Sequence, residues 1–384
     1  PLSRALEGCI FSDKNAEGYP NRRVVAGCEN ADAIEELAIS RLKKIFNCDH
    51  ANVQPMSSTI GNVALLNAVL DTGDTILSMN LNDGGHLSHG ASFHVSSKGY
   101  NIINYTVSKR LEYIDMDDVK RLAKKYRPKL IICGASSYPR LIDYVMFSEI
   151  AQSVGALLWA DIAHVSGLIA GKCIPSPIPY ADFVTTSTHK TWRGPRGSGV
   201  IMCRKKFAKQ IDRSVFPGLQ GAPKMDMIAA RAVFFKECMT PKFKEYSRAV
   251  LSNAQVLANC LTENGLRLVS GGTDTHLILA DVGSFGLTGK EAELILSSVG
   301  LVSNRNPIPF DRLPASVGSG LRLGSPSITT RGFDANECYE VGKLIAETLK
   351  NKSSTERLNE ISSRVFDLAK NKPLFCKNWM PVSE

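Results

Sequence analysis

Short apolar runs alternate with amphipathic stretches through the middle of the chain. Lys129 to Cys133 (KLIIC), Ala156 to Trp159 (ALLW), Phe183 to Thr186 (FVTT) and Gly199 to Cys203 (GVIMC) read as buried strands. Met116 to Lys125 and Met146 to Val154 carry apolar residues at helical spacing. Strands that are apolar on both faces and separated by helices predict a largely parallel sheet covered on both sides. The expected class is therefore α/β, with its chemistry at the carboxyl ends of the strands. After a long amphipathic stretch, Pro241 to Asn264, the pattern changes. Leu277 to Val282 and Gly320 to Leu323 predict strands, and Gly289 to Ser298, Asp334 to Leu349 and Ser354 to Lys370 predict helices. This predicts a smaller α+β domain at 241–384, behind a large domain at 1–240, with the long helix as the connection. No internal repeat is visible.

Composition narrows the class further. In 384 residues, 43% are hydrophobic, which suffices for two cores. No apolar run is long enough to span a bilayer. Pro1 to Ser12 lacks the basic, apolar, small-residue order of a secretion signal, so a cytoplasmic protein is expected. The ten cysteines form no C-x-x-C pair and have no histidine at metal-ligand spacing, which predicts free thiols and no metal. The formal charge is +9, but Lys and Arg are dispersed without interleaved aromatics. That argues against nucleic acid and leaves either a solvated surface or a field that gathers anionic cofactors and substrates.

Four segments carry candidate chemistry. Ser57-Ser58-Thr59 sits where a loop enters an apolar-periodic helix. Unpaired N–H groups at a helix start, with added hydroxyls, can cradle a phosphate; an ordinary N-cap accounts for the same residues. Asp161 ends an apolar run, so it should emerge at the carboxyl edge of the sheet, where a buried carboxylate needs a cationic partner. A protonated pyridine nitrogen would be such a partner; capping of the next helix is the alternative. His164 follows three residues later. Lys190 stands in a polar turn, Thr185-Thr186-Ser187-Thr188-His189-Lys190-Thr191, directly after a predicted strand. A lysine that forms a Schiff base must be desolvated or near positive charge to present a neutral amine. Gly194-Pro195-Arg196-Gly197 then delivers Arg196. Finally, Arg322 lies between leucines and glycines in Gly320-Leu321-Arg322-Leu323-Gly324, suited to bidentate carboxylate binding or to a surface salt bridge.

Together these segments resemble the serine hydroxymethyltransferase family, of the fold-type I pyridoxal-phosphate enzymes. The resemblance runs from Glu17-Gly18-Tyr19-Pro20 through Asp83-Gly84-Gly85-His86-Leu87-Ser88-His89-Gly90, Asp161-Ile162-Ala163-His164, Thr188-His189-Lys190-Thr191 and Phe216-Pro217-Gly218-Leu219-Gln220-Gly221. It continues to Val269-Ser270-Gly271-Gly272-Thr273-Asp274 and the Arg322 strand. The resemblance implies that Lys190 carries pyridoxal 5'-phosphate, Asp161 pairs with its ring nitrogen and His86 stacks on the ring. Ser136 and His164 would lie near the phenolic oxygen, with Thr188 and His189 beside the lysine. Ser57, Ser58 and Thr59, with Gly221 of a neighbouring subunit, would hold the phosphate. Arg322 would clamp the substrate carboxylate, and Glu17 would act as acid or base across a homodimer or tetramer interface. Leu81, Leu87 and Asn306 fall where the family contacts tetrahydrofolate, the expected co-substrate.

There are departures from the family pattern. A tyrosine two residues before Glu17 is replaced by Asn15, and a Tyr-Tyr-Gly-Gly run by Val24-Val25-Ala26-Gly27. The family's leading Ala-Ser-Glu-Asn segment has no counterpart before Pro1. Val24 and Val25 raise a second reading beside serine and glycine hydroxymethyl transfer, a folate-independent aldolase or transaldolase for β-hydroxy amino acids, and the altered tyrosines with the basic charge raise a third, a non-catalytic cofactor-binding protein.

Overall fold

The computed structural model describes residues 2–373. A short helix α1 (Leu2–Ala5) and a small hairpin of β1 (Gly18–Tyr19) and β2 (Arg22–Arg23) precede the long helix α2 (Glu29–Phe46). Seven strands then build the main sheet: β3 (His50–Asn52), β4 (Thr75–Met79), β5 (Asn101–Tyr105), β6 (Leu130–Cys133), β7 (Leu157–Asp161), β8 (Phe183–Ser187) and β9 (Gly199–Cys203). Helices α3 (Ser58–Val69), α4 (Met116–Tyr126), α5 (Tyr144–Val154) and α6 (Ser166–Ala170) connect them, and α7 (Ala208–Val215) and α8 (Met225–Cys238) follow.

The strand order is β3-β9-β8-β7-β6-β4-β5. The five strands from β8 to β5 are parallel, as the apolar runs predict. β9 runs antiparallel to both neighbours, the one reversed strand in a sheet that is otherwise parallel, as expected. The short turn from Thr188 to Ser198 forces this: it holds no crossover helix, and a strand entered through a turn must reverse. Two apolar layers fill the faces of the sheet, one around Phe147, Trp192 and Phe235 and the other around Leu65, Leu66, Trp159 and Phe183.

Helix α9 (Pro241–Glu263) starts with Thr240 as its N-cap. Its first half packs Phe243, Tyr246 and Val250 into the large core, and its second half packs Leu257 and Leu261 into a second core. That second core lies against a four-stranded antiparallel sheet of order β10-β11-β13-β12, formed by β10 (Arg267–Leu268), β11 (Leu277–Asp281), β12 (Asn304–Asn306) and β13 (Gly320–Gly324). Helices α10 (Gly289–Ser298), α11 (Pro326–Thr330), α12 (Ala335–Lys350) and α13 (Thr355–Lys370) complete it. Among the described residues, no helix is long and apolar enough to cross a membrane, and no cluster of His, Cys, Asp or Glu could hold a metal ion.

Candidate active site

Asp161 is the last residue of β7 and is buried there. Its Oδ2 accepts from Asn62 Nδ2 at 2.8 Å and from His89 Nε2 at 2.9 Å, and its Oδ1 accepts from the Ala163 N–H at 3.0 Å. Burial alone would raise its pKa. The hydrogen bond and charge of His89, with His86 and the Ala163 amide, outweigh that and hold the carboxylate ionised well below its ordinary range.

Lys190 follows the end of β8 by three residues. Thr188 is buried; its Oγ1 lies 2.6 Å from the Pro195 carbonyl and 2.5 Å from Ser198 Oγ, so it braces the turn. The Gly194 N–H closes the turn on the Thr188 carbonyl at 2.7 Å. Among the described residues no hydrogen bond or ion pair holds the Lys190 ammonium. Burial, and secondarily the charge of Arg322, lower its pKa, while Asp161 opposes them. Burial and the neighbouring Lys190 and Arg196 charges push His189 down to about 4.

Helix α3 links these two elements. Ser57 is its N-cap, with Oγ accepting from the Ile60 N–H at 3.1 Å. The capping reading of Ser57 is thus realised, while Ser58 Oγ is buried without a partner. A Cβ added to Gly199 would meet the Ser57 carbonyl oxygen at 2.3 Å and the Ser58 nitrogen at 2.8 Å, so the start of β9 runs tightly under the helix start. Gly199 is in register with Ser187, which brings the N-terminus of α3 beside the Lys190 turn. One turn further along, Asn62 reaches Asp161. An anion cradle and an ionised carboxylate therefore lie along one face of a helix, beside an unpaired amine. Those residues fit pyridoxal phosphate: a dianionic group at the helix start, a cationic ring nitrogen at Asp161 and an aldehyde at Lys190.

A cleft of about 1080 Å³ gathers His164, His189, Lys190, Arg196, His276 and Arg322. Arg322 lies on β13 of the four-stranded sheet; its Nε donates to Asn304 Oδ1 at 3.3 Å and its Nη1 to the Ser136 carbonyl at 3.1 Å. Its Nη2 has no protein partner among the described residues. Among the described residues, the surface salt bridge considered for Arg322 is not formed. Ser136 Oγ donates to the Gly85 carbonyl at 2.7 Å, tying two site loops together. The His164 and His276 rings stack at 5.8 Å. Leu81 and His86 line a second cavity of about 580 Å³ with His89. Leu87 is half-exposed, and Asn306 is turned onto the Pro307 carbonyl at 2.6 Å.

Glu17 and Gly221 stand apart from this grouping and beside each other: a Cβ on Gly221 would lie 3.5 Å from Glu17 Oε1. Neither lines the Lys190 cleft within one chain. Sequence reading missed Asn62, His276 and Asn304 as site residues. Asn62 was marked only by being a carboxamide within an apolar helix, and His276 by opening an apolar strand.

The serine hydroxymethyltransferase family model matches residues 3–345. A serine hydroxymethyltransferase of Coprothermobacter proteolyticus is 52% identical over 372 residues, covering 97% of this chain and 89% of that protein. The seven-stranded, mostly parallel sheet is the fold-type I architecture of pyridoxal-phosphate enzymes. Because the likeness extends beyond the lysine and aspartate motifs and through the four-stranded sheet, this chain belongs to the serine hydroxymethyltransferase family.

Proposed function

We propose that this chain moves a hydroxymethyl group between serine and tetrahydrofolate, with pyridoxal phosphate attached at Lys190. The observation that carries the reading is a half-buried lysine amine, unpaired among the described residues, within the field of an ionised, triply hydrogen-bonded aspartate. In this reading Asp161 holds the ring nitrogen, and Ser57, Ser58 and Thr59 hold the phosphate, joined by Gly221 of a neighbouring copy. When bound, the cofactor supplies a cationic aromatic ring that withdraws charge from the substrate α-carbon.

The protein's own groups do the rest. Arg322 offers Nη2 to the substrate carboxylate, while Asn304 and the Ser136 carbonyl fix its plane. Arg196 adds positive charge in the same cleft. His189, with its pKa near 4, is neutral at physiological pH and can accept a proton beside Lys190. His86 would lie against the ring, with Ser136, His164 and Thr188 bordering it. Glu17 would act as acid or base on the neighbouring copy's substrate, and Leu81, Leu87 and Asn306 would border the folate.

The reading makes the protein a cytoplasmic homodimer or higher homo-oligomer, divided into domains at residues 1–240 and 241–384. The side-by-side position of Glu17 and Gly221, away from their own cleft, supports sites completed across an interface. Exposed Ile10, Val24, Met56 and Leu219 supply apolar surface for it. Kinship along 97% of the chain favours this activity over the folate-independent aldolase and the non-catalytic alternative. The test is serine cleavage by the coenzyme-loaded protein with and without tetrahydrofolate. Folate-dependent turnover is expected, and turnover indifferent to folate would defeat the proposal.

A further inference from the structure

We propose that Asn62 is a positioning residue that fixes His86 as a neutral imidazole carrying its hydrogen on Nε2. The inference rests on the site reading above only for the place of His86 beside the cofactor; the tautomer follows from the protein's own hydrogen bonds.

Asn62 is fully buried in α3. Its Nδ2 lies 2.8 Å from Asp161 Oδ2 and 2.9 Å from Ser88 Oγ. The orientation of the amide is forced, because the reverse would set its carbonyl oxygen against a carboxylate. Both Nδ2 hydrogens are then committed, one to Asp161 and one to Ser88. With one lone pair of the Ser88 hydroxyl taken by Asn62 and the Ser88 backbone N–H already aimed at His86 Nδ1, the hydroxyl, 2.7 Å away, is left to donate its hydrogen to that nitrogen. The Ser88 backbone N–H also points at His86 Nδ1, at 3.2 Å. Two donors on one ring nitrogen leave it unprotonated, so the ring hydrogen sits on Nε2.

The groups facing His86 act in the same sense against a second proton. Burial, the like charges of His89, Lys190 and His94, and only partial opposition from Asp161 bring His86 down to about 4. A neutral His86 avoids placing another cation where Asp161 must serve a cationic ring. It also offers its ring-side neighbour one defined donor, Nε2–H. One amide thus couples the carboxylate at the ring nitrogen to the imidazole beside the ring, through Ser88.

The test is histidine-selective ¹⁵N labelling of the full chain at neutral pH, with and without pyridoxal phosphate. The His86 signals are assigned by their loss in His86→Gln. The expected pattern is a pyridine-like Nδ1 and a protonated Nε2; protonation at Nδ1, or at both nitrogens, overturns the proposal. In Asn62→Leu the tautomer preference should weaken, and kcat should fall roughly ten- to a hundredfold, the scale of lost hydrogen bonds to a charged network, with a smaller change in KM. Ser88→Ala, which cuts the relay without touching α3, should act in the same direction and serves if Asn62→Leu does not fold. Unchanged ¹⁵N shifts and unchanged kcat in the folded variant remove Asn62 from this role. Failure of the coenzyme to bind would instead count against the site reading, since the tautomer is read without coenzyme as well.

Discussion

Lys190 and Arg322 face one cleft from two different sheets, and their environments set different consequences for removing them. Lys190→Ala should abolish both turnover and the adduct left by borohydride on the coenzyme-loaded protein, measured by intact mass; an adduct retained on the variant would place the attachment elsewhere. Arg322→Ala should leave coenzyme binding in place and weaken serine binding by about 1.5–3 kcal/mol, the scale of a charged hydrogen bond, seen as a rise in KM. Arg322 is half-buried, and its two other donors meet a carbonyl and an amide oxygen rather than a carboxylate. The positive charge is therefore not neutralised inside the protein and is available to a substrate.

At the scale of elements, close backbone approach holds the site in register. A Cβ on Gly167, in α6, would meet the Thr191 carbonyl oxygen at 2.3 Å and the Trp192 nitrogen at 2.6 Å. Gly167→Ala should push the Lys190 turn from its seat, costing about 1–3 kcal/mol of stability by overpacking and loosening coenzyme retention, measured by melting and by coenzyme titration. The segment after β2 carries Val24 and Val25, with the Val24 N–H bonded to the Glu17 carbonyl at 2.9 Å. Substituting tyrosine at both positions should lower KM for tetrahydrofolate; an unchanged KM would show that these positions do not meet folate. Apolar runs made the central strands legible to within two residues, and the helix expected over Gly289 to Ser298 forms with those bounds as α10, where the structure adds a capping box of Thr288 and Glu291. The direction of β9 was not legible, because periodicity reports burial and not orientation. Lys190, Asp161 and Arg322 stood out as charges among apolar or small residues. Asn62, His276 and Asn304 did not, because a neutral polar side chain acquires meaning only from what it touches, and those partners lie far away in the chain.

At the scale of the molecule, titration and assembly give two further outcomes. Burial, helped by neighbouring positive charge, lowers His86 and His189 to about 4 and His276 to about 3, against 6.5 in an unfolded chain. Between those values the unfolded state binds more protons, so stability is full above about pH 6.5 and falls as pH drops toward 4. Asp83, raised to about 6 by burial, and Glu35, also raised by burial, act in the opposite sense over part of that window, while His164, held well below its ordinary value by burial, joins the other three histidines, so four groups outweigh two. Melting temperature should therefore decline from neutral pH to pH 4, and His276→Phe should flatten the decline. For assembly, mixing unfolded Glu17→Gln and Lys190→Ala chains and refolding them together should restore about a quarter of wild-type activity, since half the dimers are mixed and each mixed dimer has one complete site. No recovery would mean that Glu17 serves its own chain, and full activity of Glu17→Gln by itself would mean that it serves none.

Helix α9 belongs to both hydrophobic cores at once, through Val250 on one side and Leu257 on the other. A continuous helical rod anchored at each end acts as a spar, not a hinge. Opening the cleft wide would require bending that rod and breaking its hydrogen-bond ladder, so substrates should enter by local yielding of loops and side chains. The same spar should make both lobes melt together: calorimetry of the coenzyme-free chain should give a single endotherm, and a glycine pair at Asn253 and Ala254 should split it in two.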